Sequence, residues 1–306
     1  MAQIKIRRVS REELPGIALL RDSVASIDDG RESGALLDLD MAIDPTLGHI
    51  MTHDPDGFLT AMHKDETVGF GAALIRGTQW ILSELWVLPQ HRGSGAGEAL
   101  MKKLLAYGER SGSKSFMAVV PNNGPLVWLL LRHGFQAATL VYDFRIARDR
   151  AAALATALAG LLPNQDVTQD LLEQRGQADL DRIDRLTRKM NREMDHVFWL
   201  KELRLNVSFV RQGNRIAAYG YGGHSQVGPV AGTTQEAALV ALGCALASAL
   251  QQSLKQHLHI KIPATFTPAI EAALDGGAHL WKVFSMFRIG EIPAFDRTIL
   301  GPSNLP

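Results

Sequence analysis

From Ile4 to Val9 apolar and charged residues alternate, the two-residue period of a half-buried strand. Ser10, followed by Glu12 and Glu13, opens a helix through Val24 whose acidic first turn suits the positive end of its dipole. Residues 27–57, rich in Asp, Gly, Pro and Thr, read as short helix and loop. Strands are predicted over residues 58–63 and 68–76, joined by a turn at 64–67, and over 80–88. Residues 97–110 form an amphipathic helix, with Leu100, Met101, Leu104 and Leu105 on one face and Lys102, Lys103, Glu109 and Arg110 away from it. A strand over 115–120 follows. Next is a short helix over 125–133, with Pro125 in its first turn after Asn122-Asn123 and Gly134 at its end. A strand over 139–146 closes the series.

An Ala/Leu-rich connecting helix over 148–162, punctuated by Pro163-Asn164, places the domain boundary between 150 and 165. The second half repeats the grammar. It has a charged amphipathic helix over 179–194, a strand–turn–strand over 206–211 and 216–222, and a long helix over 234–256. A strand over 259–262, a helix over 268–274 ended by Gly276-Gly277 and a strand over 282–289 follow. Phe144-Arg145-Ile146 recurs 143 residues on as Phe287-Arg288-Ile289, each time ten residues past the glycine that ends the short helix. The matching order of elements makes this a tandem duplication.

The 306 residues suit two domains, each long enough for its own core. A formal net charge of zero favours neither nucleic acid nor an anionic membrane as a general partner. The apolar run Ala237 to Leu250 is too short to span a bilayer, which needs roughly 18 residues or more. The start of the chain has charges with no apolar run behind them, so no signal peptide is expected. The expectation is a soluble, cytoplasmic protein. Cys244 lies among alanines and leucines and reads as packing. His257 and His259 fall on one side of a strand, but no further ligands accompany them, and no metal is expected.

The segment Glu84-Leu-Trp-Val-Leu-Pro-Gln-His-Arg-Gly-Ser-Gly-Ala-Gly97 carries candidate chemistry. A strand runs into Arg92, Gly93, Ser94, Gly95, Ala96 and Gly97, and a helix starts at once. Glycines let backbone N–H groups converge on one concave space, and the helix start adds positive potential. Together with Arg92 this suits a phosphate or pyrophosphate. A dinucleotide fold would need an acidic residue at the end of the next strand, which is missing after Val120; a triphosphate loop would need Gly-Lys-Ser/Thr, where Gly97-Glu98-Ala99 stands. A coenzyme A pyrophosphate site and a plain structural turn remain.

The segment resembles the GNAT N-acetyltransferase superfamily. Its Arg/Gln-x-x-Gly-x-Gly/Ala pattern is matched by Arg92, Gly95 and Gly97, and the preceding Leu-x-Val-x-Pro by Leu85, Val87 and Pro89. Asn123 and Gly134-Phe135 match features downstream, so the resemblance covers the first 146 residues. It implies an α/β fold of two tandem GNAT-like domains, residues 1–150 and 165–306, each a bent mixed sheet flanked by helices. It implies acetyl-CoA as co-substrate. Pantetheine would lie between splayed parallel strands over 80–88 and 115–120, pairing with the backbone of Leu85, Trp86 and Val87. The pyrophosphate would sit on Arg92 to Gly97. Asn123 would bind the arm or cap the helix.

Acyl transfer needs a neutral amine, and Glu84, facing opposite to Leu85 and Val87, is the candidate base; a salt-bridged glutamate is the alternative. The family often has a tyrosine acid four residues before Gly-Phe, where this chain has Leu130. Tyr142 is the substitute acid, or packing. A backbone N–H near Val87 is the candidate oxyanion donor. Trp86 and Trp128 wall the pocket or belong to the core. The second half has Val227-Gly-Pro-Val-Ala-Gly-Thr-Thr-Gln235 where the phosphate loop would be, without arginine or Gly-x-Gly, and reads as a degenerate copy. Asp195-His196 points into the cleft or merely ends a helix, and the charge run from Asp179 to Arg192 reads as a solvated helix face. The expected acceptor is a small-molecule amine; protein N-terminal or lysine acetylation, or a non-catalytic acyl-CoA sensor, are the rivals. A homodimer is left open.

Overall fold

The computed structural model describes residues 4–28, 44–122, 124–161, 166–168, 174–223 and 226–301. The chain forms two compact units, Met1–Phe116 and Met117–Pro306. In the first, β1 (Lys5–Arg8), β2 (Phe58–His63), β3 (Glu66–Arg76) and β4 (Gln79–Val87) make an antiparallel sheet in chain order. The helices are α1 (Leu14–Asp28), α2 (Pro45–His53) and α3 (Ala96–Arg110). Leu100, Met101 and Leu104 of α3 are fully buried, each worth about 1.5–3 kcal/mol. Trp80 of β4 donates from Nε1 to the Leu104 carbonyl at 2.9 Å, locking helix to sheet. β5 (Ser115–Pro121) begins beside the start of β4. Lys114 N bonds Thr78 O at 2.8 Å, and the Phe116 ring lies 5.4 Å from that of Trp80, so the two strands set out in the same direction.

The second unit continues through α4 (Pro125–Arg132), β6 (Gln136–Ala147), α5 (Arg148–Ala159), β7 (Asp166–Thr168), α6 (Gln174–Thr187) and α7 (Glu193–Lys201). Next come β8 (Asn206–Gln212), β9 (Arg215–Gly223), β10 (Gln226–Gly232), α8 (Gln235–Gln252), β11 (His257–Pro263), α9 (Thr267–Asp275), β12 (His279–Ile289) and β13 (Thr298–Ile299). Its strands run in the order β5-β12-β6-β11-β10-β9-β8-β7, with β13 against β10.

The register carries the duplication. β6 and β12 pair antiparallel so that Val141 faces Phe284, its counterpart at the 143-residue interval of the repeated string. Each strand has one extra residue, Ala138 and Trp281, again 143 apart. A local two-fold therefore relates the strands. They are exchanged: β5 of the first repeat neighbours β12 of the second, and β11 of the second pairs with β6 of the first. The compact units divide inside β5, earlier than the 150–165 boundary expected from composition, because β6 pairs only with strands of the second repeat.

Several expectations need correction. The helix expected over 179–194 is two helices, α6 and α7, broken where Lys189 takes φ of +53°. The charge run is only partly a solvated face. Asp179, Asp181, Arg182 and Arg185 form outer ion pairs, but Asp184, Arg188 and Arg192 are buried. The stretch from Val227 to Gln235, expected where a phosphate loop would be, is mostly strand, since β10 covers Gln226–Gly232; Gly228-Pro229 falls within a register shift, where a missing N–H interrupts nothing. The long helix ends at Gln252, short of 256. Trp128 is 59% exposed, with the Arg132 guanidinium 4.6 Å from its ring centroid, so it is not core. Cys244 is buried packing, as expected, and burial pushes its thiol up.

Candidate active site

β4 positions the sequence-predicted residues. Ala72 faces Glu84 while Ala73 faces Leu82, which leaves Ser83 as a bulge. Its one sequence mark is that two polar residues, Ser83 and Glu84, stand side by side in an apolar run. The bulge turns Glu84 and Trp86 to the face opposite Leu82 and Leu85. Leu88 N bonds Val68 O at 2.9 Å. Ladder alternation then directs the N–H groups of Leu85 and Val87 to the edge of β4 away from β3.

Glu84 is 4% exposed and sits by α1 and the start of α2. Trp86 Nε1 donates to its Oε2. Its Oε1 is buried and has no hydrogen-bond partner among the described residues. Burial pushes its carboxyl up to about 7, with the Trp86 hydrogen bond and the Arg21 guanidinium only partly opposing this. Arg21 of α1 is held by Asp44 at 2.7 Å and Asp22 at 3.0 Å. Burial works against its charge, but these carboxylates outweigh it and the guanidinium stays firmly protonated. Asp44 also caps α2 by accepting from Thr46 N at 2.7 Å. Asp44 and Arg21 were not singled out in the sequence, because nothing local links them to Glu84. The set of buried Asp54, buried Arg76 and half-buried Tyr107 is structural by contrast. Asp54 accepts from Arg76 at 2.8 Å, Tyr107 at 3.1 Å and Ile75 N at 2.8 Å, which uses up its oxygens.

Past β4, a 3-10 turn over Pro89–His91 leads into the glycine turn. Gly93 and Gly95 take φ of +79° and +89°, where a side chain would be strained. Among the described residues, a Cβ placed at either would meet no atom within 4 Å beyond the adjoining residues. Gly95 is the N-cap of α3 and no side chain caps that end; the first bond reaching into the helix is Ala99 N to Gly95 O at 2.9 Å. The N–H groups of Ala96 and Gly97 therefore have no partner within the helix. An open, uncapped helix start beside Arg92 and Ser94 fits a pyrophosphate group.

Tyr142 lies in the second unit on β6, its ring 6.1 Å from that of Phe144. Asn123 falls outside the described residues; its neighbour Asn122 hydrogen bonds with Ser285 of β12. Leu130 is fully buried. His91 rests against His63, with rings 5.4 Å apart. His259 contacts Asp143 at 3.0 Å and His257 contacts Arg145 at 3.1 Å. Among the described residues there is no group of metal-binding side chains, and no helix is long and apolar enough to cross a membrane.

Sequence reasoning missed a buried network in the second unit. His196 contacts Asp184 at 3.0 Å and Tyr221 at 2.9 Å, and Tyr219 also bonds Asp184. Burial alone would push the Asp184 carboxyl up, but Arg192, His196 and Arg188 hold it at about 2. His196 and Asp184 are 0% exposed and both ring nitrogens are engaged, so no substrate atom reaches the pair. It is internal wiring.

Residues 25–135 match the family model described as "Acetyltransferase (GNAT) family". A presumed acetyltransferase of Pyrococcus horikoshii aligns with 99% of this chain and 96% of its own, at 14% identity and a TM-score of 0.74. A GCN5-related N-acetyltransferase of Sphaerobacter thermophilus covers 95% and 98%, at 12% identity and 0.59. A tandem GNAT protein from the clavulanic acid biosynthesis pathway covers 94% and 98%, at 12% identity and 0.62. At such identities the likeness is one of fold. No curated protein sequence matches the chain.

Proposed function

We propose that this chain, which carries a GNAT-family domain and the tandem GNAT fold, transfers an acetyl group from acetyl-CoA to a primary amine, with Glu84 as the base. The single observation that carries this is Glu84 itself: a buried carboxyl at about 7, with one oxygen unpartnered, on the strand that feeds the glycine turn. Residues 1–150 are the acetyltransferase domain in this reading, and 165–306 a GNAT-like domain without cofactor.

Acetyl-CoA supplies the activated acyl group as a thioester. Arg92, Gly93, Ser94, Gly95, Ala96 and Gly97 hold its pyrophosphate through backbone N–H groups and one guanidinium. The outward backbone of Leu85, Trp86 and Val87 pairs with the extended arm, and Asn123 contributes to that arm, since the cap position of α4 belongs to Gly124 and no side chain among the described residues caps it. The Val87 N–H donates to the carbonyl oxygen as it gains charge. Glu84 Oε1 takes the proton from a substrate ammonium with a pKa near 10. With Glu84 at about 7 the mismatch is roughly 3 pH units, about 4 kcal/mol; an ordinary carboxylate would face nearly twice that. No acid is required for the leaving thiolate, whose conjugate pKa of about 8.5 makes it a fair leaving group. This accommodates Leu130, and leaves Tyr142 as packing or as an auxiliary acid.

The proposed acceptor is a small molecule, because the base is almost wholly enclosed; a protein lysine or N-terminus is the competing acceptor. Free thiol release from acetyl-CoA, followed across a panel of small amines and peptides, tests the reading. Release that depends on a small amine supports it. Tight acetyl-CoA binding without release for any acceptor would instead make the chain an acyl-CoA sensor.

A further inference from the structure

The second repeat has its own pair of parallel strands, β10 and β11, in the places of β4 and β5. They pair at Gln226 with His259 and at Val227 with Ile260, and then part. Beyond that point the outer side of β10 is taken by β13. Val230 faces Ile299 and Ala231 faces Thr298, while the other side of β10 keeps β9. Leu300 bridges to Lys261 of β11, donating its N–H to the Lys261 carbonyl at 3.0 Å, while the far side of β11 keeps β6. β13 thus stands inside the opening between the two strands.

Five further features fix it there. Gly232 N bonds Arg297 O at 3.2 Å, and Arg297 Nη1 donates to Thr233 O at 2.9 Å. Gln235, in the first turn of α8, donates to Asp296 O at 2.9 Å. Buried Arg188 donates from Nη2 to both Val230 O and Ile299 O at 2.9 Å, stapling β13 to β10. Gly228 lets the segment approach, since a Cβ there would stand 2.4 Å from Leu300 O. Thr298, Ile299 and Leu300 are at most 3% exposed. The start of α8 is also closed, because the Thr234 side chain accepts from Ala237 N at 3.2 Å, the cap that Gly95 cannot give α3.

We infer that the segment from Phe295 to Leu300 is the resident occupant of the second repeat's cofactor opening, seated as an extended strand where an acyl-carrier arm would pair. The equivalence rests on reading the first repeat's loop as a cofactor site. The second repeat then binds no acyl-CoA because the place is filled from within the chain, and the missing Gly-x-Gly follows: a helix start already capped by Thr234 has no use for it.

The test is calorimetric titration of acetyl-CoA into the full chain and into its Gly95→Trp variant, with hydrogen exchange read at Thr298 to Leu300. The inference expects one molecule bound per chain, none in the variant, and exchange at Thr298 to Leu300 as slow as in β10. Two molecules per chain, binding that survives Gly95→Trp, or exchange as fast as in an unstructured peptide would each overturn it. If Gly95→Trp fails to fold, the wild-type stoichiometry and exchange still decide. No binding by the wild-type chain would be a different failure: it removes the cofactor reading of the first repeat, and the equivalence with it.

Discussion

Glu84 is placed at odds with its own ionisation. A carboxyl near 7 in the fold and near 4.5 when unfolded favours the protonated native state. Stability is therefore greatest below the unfolded value and falls as pH rises from about 4.5 to 7, by up to about 3 kcal/mol. Glu84→Gln should accordingly unfold at higher temperature than wild type at pH 8 and at a similar temperature at pH 4, read by thermal melts at both. The same change should lower kcat/KM about 10²–10⁴-fold, the usual contribution of a general base. A variant that is more stable yet less active separates a strained functional carboxyl from a structural one. Sequence reasoning could pick out Glu84 from strand alternation next to the glycine turn. Its partners could not be read, because Arg21 and Asp44 reach it only through tertiary packing.

The element that matters next is the β4–turn–α3 unit. Its glycine turn was legible because left-handed backbone and an open helix start leave a chemical trace, namely glycines at fixed spacing. Gly95→Ala should destabilise the fold by about 1–2 kcal/mol through its φ of +89°, measurable by urea denaturation, and should weaken acetyl-CoA binding. The start of α2 is different. Asp44→Ala loses the cap and the ion pair to Arg21, so a loss of about 1 kcal/mol from the cap alone is expected in the same assay. The bulge at Ser83 and the break between α6 and α7 were illegible. One leaves only a pair of adjacent polar residues, Ser83 and Glu84, as its mark; the other depends on burying Arg188 and Arg192, which a charge pattern alone represents as solvated.

Across the whole chain, the tandem order of elements and the 143-residue repeat could be read from the sequence, but not the exchange of β6 and β12. Strand pairing between repeats depends on which edges meet, and local pattern carries no information on that. The exchange makes the repeats interdependent. β12 lies between β5 and β6, so a chain ending at residue 278 loses the strand that covers the edges of both. Limited proteolysis should find such a truncation cut throughout residues 117–278, whereas two independent domains would leave the first intact.

The most direct test is the pH dependence of amine-driven thiol release from acetyl-CoA, in wild type and in Glu84→Gln. The account predicts kcat/KM rising through a limb near pH 7 in wild type, as Glu84 loses its proton, and a loss of about 10²-fold or more with that limb absent in the variant. Amine-dependent release that is equal in the two proteins, with the same limb, would contradict the assignment of Glu84 as the base.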